Sequence, residues 1–199
     1  MITECNNSSN IDFKGLLIDC DNPDVLEAYI AIVRIIKTDW PRSKAYLLGE
    51  SSLRNYAKSD LIDYLIAGCY PIPDILCIKE FPELSISASV LSQIISKPTP
   101  DHLVIDSGHK TFGTDLGMPA IIPEKIHPYT SALSPTKFSA EHGAISFPED
   151  LWEQIQVQQK IKLVPNSMEL CVNQFDTMRF VKEDKFIGYR QIISRGLYS

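Results

Sequence analysis

Three separated stretches of the sequence carry more polar residues than turns require. The first reads Ile105-Asp-Ser-Gly-His-Lys-Thr-Phe-Gly-Thr-Asp-Leu-Gly117, where an acid follows an apolar run and His109, Lys110 and Asp115 stand among three glycines. Because glycine has no side chain, such a loop can bring charged groups close to a ligand. From the residues alone, Asp106 could instead cap a turn, and His109 and Lys110 could be solvated loop residues.

The second stretch is Ser139-Ala-Glu-His-Gly143, in which Glu141 and His142 are adjacent just before a predicted strand. This pair is a candidate functional group. The alternative is that it only orients its own loop through hydrogen bonds.

The third stretch is Val164-Pro-Asn-Ser-Met-Glu-Leu-Cys-Val-Asn-Gln-Phe-Asp176. We expect Ser167 and Glu169 to alternate onto one face of an extended segment, where they could share a metal ion. Glu169 could equally be an ordinary solvent-facing strand residue.

Upstream of these stretches the pattern predicts a βαβ arrangement. An apolar run at 13–18 precedes Asp19-Cys-Asp-Asn-Pro-Asp24, which supplies a cap and a proline at the first helical position. A wide apolar stripe over Val25–Lys37 predicts a helix, and Ala45–Leu48 predicts a buried strand. Strand, helix and strand within fifty residues are typical of a parallel sheet, and a second helical stretch is expected around Ser59–Ala67.

From Gly68 onward prolines become frequent and helical periodicity nearly disappears. Short β-branched runs between turn residues suggest a compact antiparallel barrel or sandwich. The predicted strands are Ser87–Ile95, Leu103–Asp106, Ala144–Phe147, Ile161–Val164, Leu170–Asn173 and Arg179–Val181. Residues 118–139, with four prolines, are expected to form a long surface loop.

Composition narrows the classes of function. The 199 residues carry a formal net charge of −6, and 44% are hydrophobic, so a core is expected and a nucleic-acid partner is not. The sequence shows neither a signal peptide nor a run long enough to span a bilayer, which predicts a cytoplasmic protein that does not engage a membrane. Five cysteines without a C-x-x-C pair favour reduced thiols.

Taken together, in this order and spacing, the three stretches resemble the C-terminal domain of the D-threonine aldolase and D-serine dehydratase family. These are pyridoxal-phosphate enzymes of the alanine-racemase type. The resemblance begins at Ser96-Lys-Pro-Thr-Pro-Asp-His-Leu-Val-Ile-Asp-Ser-Gly-His-Lys110, continues through Glu-His-Gly and ends in Val-Pro-Asn-x-x-x-x-x-Val-Asn, covering most of 85–199. It implies catalytic roles for Asp106, His109, Glu141 and His142.

The resemblance also extends upstream to residues that would hold the cofactor. Tyr70, in Gly-Cys-Tyr-Pro-Ile-Pro-Asp, is similar to the tyrosine that follows the family's last barrel strands. Gly49 and Ser51, in Gly-Glu-Ser-Ser, lie where the family has a loop that cradles the cofactor phosphate. A packed tyrosine and a plain turn are the structural alternatives.

The fold implied is an α/β remnant of a TIM-type barrel, the last βα units at 1–82, followed by a mostly antiparallel β-barrel or sandwich domain at 83–199. A complete barrel needs about 250 residues. None of Lys14, Lys37, Lys44 and Lys58 lies in a setting that resembles the family's cofactor-lysine segment. We therefore expect no covalent pyridoxal phosphate on this chain.

The implied metal site departs from the family pattern. Family members place a histidine, and two residues later a cysteine or aspartate, where this sequence has Ser167 and Glu169. Glu169 could still give a hard oxygen ligand to Mn²⁺, Mg²⁺ or Ca²⁺, whereas zinc is disfavoured because a serine replaces the imidazole. The segment Ile18-Asp-Cys-Asp-Asn22 also lacks the histidine that the family carries there.

These features predict the C-terminal part of a D-amino-acid lyase-like protein, which when complete would act on D-configured β-hydroxy amino acids and which is inactive as this chain alone. Its expected partners are a small D-amino acid and either a second copy in a homodimer or a complementing barrel chain. The first alternative is a non-catalytic binding module that kept the β-domain and lost the barrel. The second is a metal-dependent enzyme that uses Glu141, His142 and Glu169 without pyridoxal phosphate.

Overall fold

The computed structural model describes residues 13–19, 23–48, 59–113, 117–124, 127–183 and 185–196. The chain divides into two compact units, residues up to Tyr70 and residues from Pro71 onward. This division falls earlier than the predicted boundary at residue 82. Helix α2 (Ile75–Glu80) belongs to the second unit, where the Ile75 amide donates to the Pro165 carbonyl at 3.2 Å.

The first unit contains the predicted βαβ arrangement. Strand β1 (Gly15–Asp19), helix α1 (Pro23–Asp39) and strand β2 (Lys44–Leu48) follow in that order, and strand β3 (Tyr64–Ile66) adds to β2. All pairings are parallel, in the order β1-β2-β3. The apolar stripe of α1 places Leu26 and Val33 in one core cluster with Ile18 and Leu47, which confirms the helix read from that stripe.

The helix predicted over Ser59–Ala67 is wrong, because β3 occupies its second half. Asp63, directly before β3, accepts the Ala45 amide at 2.8 Å, and Tyr64 stacks on Tyr46 with ring centroids 5.0 Å apart. Pairing with β2 therefore outweighs the local helical pattern. On this face of the sheet Leu17 and Tyr64 remain exposed.

The second unit is built on a six-stranded antiparallel sheet, which confirms the predicted β-domain. Its strands are β4 (Val90–Thr99), β5 (His102–Ile105), β6 (Ala120–Ile121), β7 (Ser134–Phe138), β8 (Gly143–Ser146) and β9 (Lys160–Val164). They run in the order β6-β9-β4-β5-β8-β7. The edge strands β6 and β7 contact each other, so the sheet is a nearly closed barrel.

The barrel encloses one apolar core. Ile94, Leu103, Ile145, Ile161 and Leu163, one or more from each central strand, are completely buried in it. Helix α3 (His109–Phe112) adds Phe112, whose ring meets Phe138 edge-on at 5.7 Å. A separate hairpin follows, formed by β10 (Thr177–Lys182) and β11 (Lys185–Gln191).

Two predictions for this unit are wrong. Residues 118–139 are not one surface loop, because their described part contains β6, a 3-10 helix at Pro128–Ala132 and β7, and it buries Tyr129 and Leu133. Residues 170–173 are not a strand, because they lie at helix α4 (Met168–Val172) and its C-cap. Among the described residues no helix is long and apolar enough to cross a membrane.

Candidate functional site

Helix α3 is the point at which the three polar stretches meet. At its N-terminal end, the amides of His109 and Lys110 donate to the carbonyls of Ser139 and Ala140, at 2.8 and 3.0 Å. Gly108 permits this approach, because a Cβ atom there would lie closer than 3.0 Å to backbone atoms of the 139–142 turn. The first and second stretches are therefore held together by main-chain contacts.

The charged side chains at this junction face solvent. Lys110 forms an ion pair with Glu141, and both side chains are more than half exposed. His109 and His142 are also exposed, and the His109 ring lies 6.4 Å from the Phe138 ring. The structure thus brings His109, Glu141 and His142 together on one exposed surface of the β-domain beside α3, here called the α3 rim. Imidazole and carboxylate groups in such a position can exchange protons with a bound molecule.

Asp106, at the end of β5, connects this strand to β4 through hydrogen bonds. Its Oδ1 atom accepts the Ser92 hydroxyl at 2.7 Å and the Gln93 amide at 2.8 Å, and its own amide donates to the Gln93 carbonyl at 3.1 Å. Ser92 is buried and also hydrogen-bonds the Ser107 hydroxyl at 2.6 Å. One carboxylate oxygen of Asp106 therefore fixes β5 to β4 and sets where the chain leaves toward Gly108.

The third stretch joins α3 at its C-terminal end. Gly113, at φ +61°, ends α3 in the left-handed region, and a Cβ atom there would meet Leu170 Cβ at 2.8 Å. The Cys171 thiol donates to the Thr111 carbonyl at 3.3 Å. Burial raises the pKa of Cys171 to about 12, so this thiol stays protonated and serves packing, as the sequence predicts for a reduced core cysteine.

Sequence reasoning did not identify Asp74 as a positioning residue. Its Oδ1 atom accepts the Cys77 amide at 2.9 Å and caps α2, while its Oδ2 atom accepts the Met168 amide at 3.2 Å and binds the start of α4. The signal available was an acid directly before an apolar run, which is typical of a helix N-cap. That signal predicts the first bond, and only the fold supplies the second.

Ser167 and Glu169 do not alternate on an extended face, because α4 begins between them. The Ser167 hydroxyl accepts the Leu170 amide at 3.3 Å as the N-cap of α4, and Glu169 is exposed in its first turn. Over the ranges that the structure describes, no three His, Cys, Asp or Glu side chains are grouped as metal ligands. Ser167 and Glu169 as found do not fit a metal centre, since a closed site needs further donors.

The residues proposed to hold the cofactor lie in the first unit. Tyr70 is exposed. Gly49 and Ser51 lie outside the described residues. The described lysines that could be considered for the coenzyme include Lys37 and Lys44, and both form ion pairs with Asp63, at 2.7 and 3.3 Å.

The surroundings of Asp63 stabilise its ionised carboxylate form. Hydrogen bonds from Lys37, from the Ala45 amide and from Lys44 lower its pKa to about 2. Both lysine amines are therefore engaged by one carboxylate, whereas a lysine that binds a coenzyme aldehyde must present an amine that is free to react.

Comparison with known proteins agrees with this geometry. The family model described as a putative serine dehydratase domain matches residues 87–181, which include all three stretches. D-threonine aldolase from Arthrobacter sp is 28% identical over 110 residues, 55% of this chain and 27% of that protein.

Two solved structures show the same fold. D-threonine aldolase from Filomicrobium marinum matches with a TM-score of 0.79 and 20% identity, covering 99% of this chain and 57% of that one. D-threo-3-hydroxyaspartate dehydratase from Delftia sp. HT23 matches with a TM-score of 0.71 and 15% identity, covering 92% and 56%. A related structure is a C353A mutant of D-threo-3-hydroxyaspartate dehydratase in a metal-free form.

The chain shares its fold with these structures, in which parallel βα units are followed along the sequence by an antiparallel barrel. Residues 87–181 of the chain are thus similar to the putative serine dehydratase domain, and the chain as a whole is similar to the C-terminal portion of D-threonine aldolase. It spans about a quarter of the curated relative and just over half of the solved ones.

Proposed function

We propose that this chain supplies the β-domain wall of the substrate site in a pyridoxal-phosphate-dependent lyase for D-configured β-hydroxy amino acids, and that the 199 residues alone are catalytically silent. One observation carries the proposal. The three stretches that resemble the family's site lie at 105–117, 139–143 and 164–176 of the sequence, and in the structure they converge on α3.

The side chains of the α3 rim suit a substrate-binding surface that transfers protons to and from the substrate. His109 and His142 are exposed, so either imidazole is accessible to accept a proton from a substrate hydroxyl or to return one. The Lys110–Glu141 ion pair holds opposite charges beside them. When bound, the coenzyme supplies an electron sink for the substrate carbanion. The residues of this chain would hold the substrate hydroxyl in position for the reaction that the coenzyme supports.

The proposed lack of activity is supported by two described lysines of the first unit. Lys37 and Lys44 are both engaged in ion pairs with Asp63, whereas condensation with the coenzyme requires an amine that is free to react. Pyridoxal phosphate is therefore expected to bind at most without a covalent bond. A divalent metal, Mn²⁺, Mg²⁺ or Ca²⁺ before Zn²⁺, is a further proposed component that would need donors beyond Ser167 and Glu169.

Two measurements test the proposal. In the first, the purified chain is incubated with pyridoxal phosphate, desalted and assayed with D-threonine and D-serine beside a D-threonine aldolase as positive control. We expect no retained visible absorption and no turnover. Covalently retained coenzyme with turnover would refute the silence of the chain.

The second measurement tests whether the α3 rim binds the coenzyme–substrate adduct. The stable phosphopyridoxyl derivative of D-threonine mimics the joined coenzyme and substrate, and NMR titration should shift the ring signals of His109 and His142. The variants H109A and H142A should weaken this binding, whereas H102A, at the far end of β5, should not. Chemical-shift changes at His102 alone, or at no histidine, would refute the proposal that His109 and His142 form part of the substrate site.

A second candidate function is a non-catalytic interaction module, and the β10–β11 hairpin favours it. Phe186, Ile187 and Tyr189 are each more than 60% exposed on this two-stranded sheet, and isolated hairpins are only marginally stable in water. Such a surface would pair with a second copy or with a complementing barrel chain. A monodisperse monomer in light scattering at micromolar concentration would count against this candidate.

A further inference from the structure

A cleft of about 390 Å³ lies within the second unit, between α4 and the segment that follows β11. Its size is in the range of small-molecule sites. Its walls combine the aliphatic side chains of Ile72, Val172 and Ile192 with polar and charged ones that include Glu169, Asn173 and Arg195. None of these residues belongs to the α3 rim.

The cleft contains one carboxylate and one guanidinium. Within the described part of the chain, the Glu169 side chain has no hydrogen-bond or ion-pair partner, so its negative charge is available to a ligand. Arg195 forms an ion pair with Asp176 through one of its terminal nitrogens, Nη1. Because a guanidinium carries five N–H donors, the others can still bind a second carboxylate.

The wall that carries Arg195 is anchored to the rest of the unit. The Gly196 amide donates to Asn173 Oδ1 at 2.9 Å, and the Ile192 amide donates to the Asp176 carbonyl at 2.9 Å. These bonds tie both ends of the 192–196 segment to the region after α4. Because Asn173 accepts this bond through its oxygen and also lines the cleft, its side-chain NH₂ group remains as a further donor.

We propose that this cleft binds a small aliphatic zwitterion, an unmodified α-amino acid with a branched apolar side chain such as leucine, without coenzyme. Its ammonium group pairs with Glu169, its carboxylate with Arg195 and the Asn173 amide, and its side chain packs on Ile72, Val172 and Ile192. Opposite charges across one apolar cleft complement a zwitterion better than any singly charged ligand. The inference requires neither the coenzyme nor His109, Glu141 and His142, because none of them lines the cleft; only Glu169 is shared with the candidate metal site, and the Mn²⁺ titration below distinguishes the two.

The test is isothermal titration of the 199-residue chain, without pyridoxal phosphate and at low ionic strength. The probes are leucine, 4-methylpentanoate, which lacks the ammonium group, and 3-methylbutylamine, which lacks the carboxylate. Leucine should bind at least about tenfold more tightly than either analogue, since each lost charge-assisted contact costs at least that factor. Equal affinity for the three probes, or no heat from leucine at millimolar concentration, would overturn the inference.

Matched variants locate the site. E169Q and R195Q should each weaken leucine binding about tenfold or more, while E153Q and R190Q, which change the same residue types on exposed positions outside the cleft, should leave it unchanged. Far-ultraviolet circular dichroism confirms that each variant folds. A titration with Mn²⁺ alone separates the metal alternative: binding of Mn²⁺ that E169Q abolishes, with no binding of leucine, would overturn the zwitterion site.

Discussion

The carboxylate of Asp74 accepts the backbone amide of Met168 at 3.2 Å, joining residues 94 positions apart in the sequence. The same carboxylate caps α2 through the Cys77 amide at 2.9 Å. One side chain therefore satisfies amides at the start of two helices, α2 and α4. It fixes the helix that carries Glu169 to the segment that carries Ile72, the two sides of the proposed cleft.

Replacing Asp74 by alanine should lower the free energy of unfolding by about 1 to 3 kcal/mol, because two amides at helix N-termini lose their acceptor. D74N should cost less, since its amide oxygen still accepts one of the two bonds. Urea denaturation monitored by circular dichroism measures both. The exposed control D150A should change the free energy by no more than about 0.5 kcal/mol. Equal losses in D74A and D150A would contradict the double cap.

The variant G108A should separate α3 from the 139–142 turn. The new methyl group would lie closer than 3.0 Å to backbone atoms of Ser139, Glu141 and His142, which are held in a turn and cannot swing away as a flexible side chain can. We expect a loss of about 1 to 3 kcal/mol in the free energy of unfolding. The control is G68A, because nothing lies within 4 Å of a Cβ atom at Gly68. A G108A protein as stable as G68A would show that the two stretches are not in contact.

The Cys171 thiol should resist alkylation in the folded protein. Burial raises its pKa to about 12, so the reactive thiolate is almost absent at pH 8. Iodoacetamide labelling followed by peptide mass spectrometry should find Cys171 modified in urea and protected without it. The sign of the pH effect follows: the folded state favours the neutral thiol, so this stabilisation is complete below pH 9.0 and is lost as the pH rises toward about 12. Equal labelling with and without urea would refute this burial.

Asp63 should make the first unit sensitive to acid. Its pKa is lowered from 3.8 to about 2 by hydrogen bonds from Lys37, the Ala45 amide and Lys44, so the folded state favours the carboxylate. This stabilisation is present above pH 3.8 and is lost as the pH falls toward 2. Wild type should therefore exceed D63N in free energy of unfolding at pH 7, and the difference should narrow at pH 2. Fluorescence of Trp40, which lies in the first unit, can follow the transition. A difference that does not depend on pH would contradict the assignment.

Much of the fold could be predicted because local patterns and tertiary contacts agree. The apolar stripe of α1 is wide enough to require a sheet beneath it, and the structure places Leu26 and Val33 on that sheet. The β-branched runs of β5, β8 and β9 lie within two residues of their predicted positions. In each case the residues that favour the element are also the ones that the core buries.

Prediction failed where a short segment takes its conformation from a distant partner. Residues 64–66 pair with β2, and Pro135 lies opposite Ile145 in the β7–β8 pair although its segment looks like a proline-rich loop. A proline is tolerated on an edge strand, since its missing amide need not enter the ladder. Met168–Val172 form a helix because Ser167 and Asp74 cap it, and the Asp74 contact is invisible in local sequence.

By itself the sequence predicted the resemblance that the comparisons support and the class of fold, because motif order and hydrophobic period are local properties of the chain. Only the tertiary structure decided that Ser167 is a helix cap, that Asp106 ties β5 to β4, and that Glu169 and Arg195 share a cleft. Those relationships depend on hydrogen bonds and packing between segments far apart in sequence, and such contacts exist only once the barrel has closed.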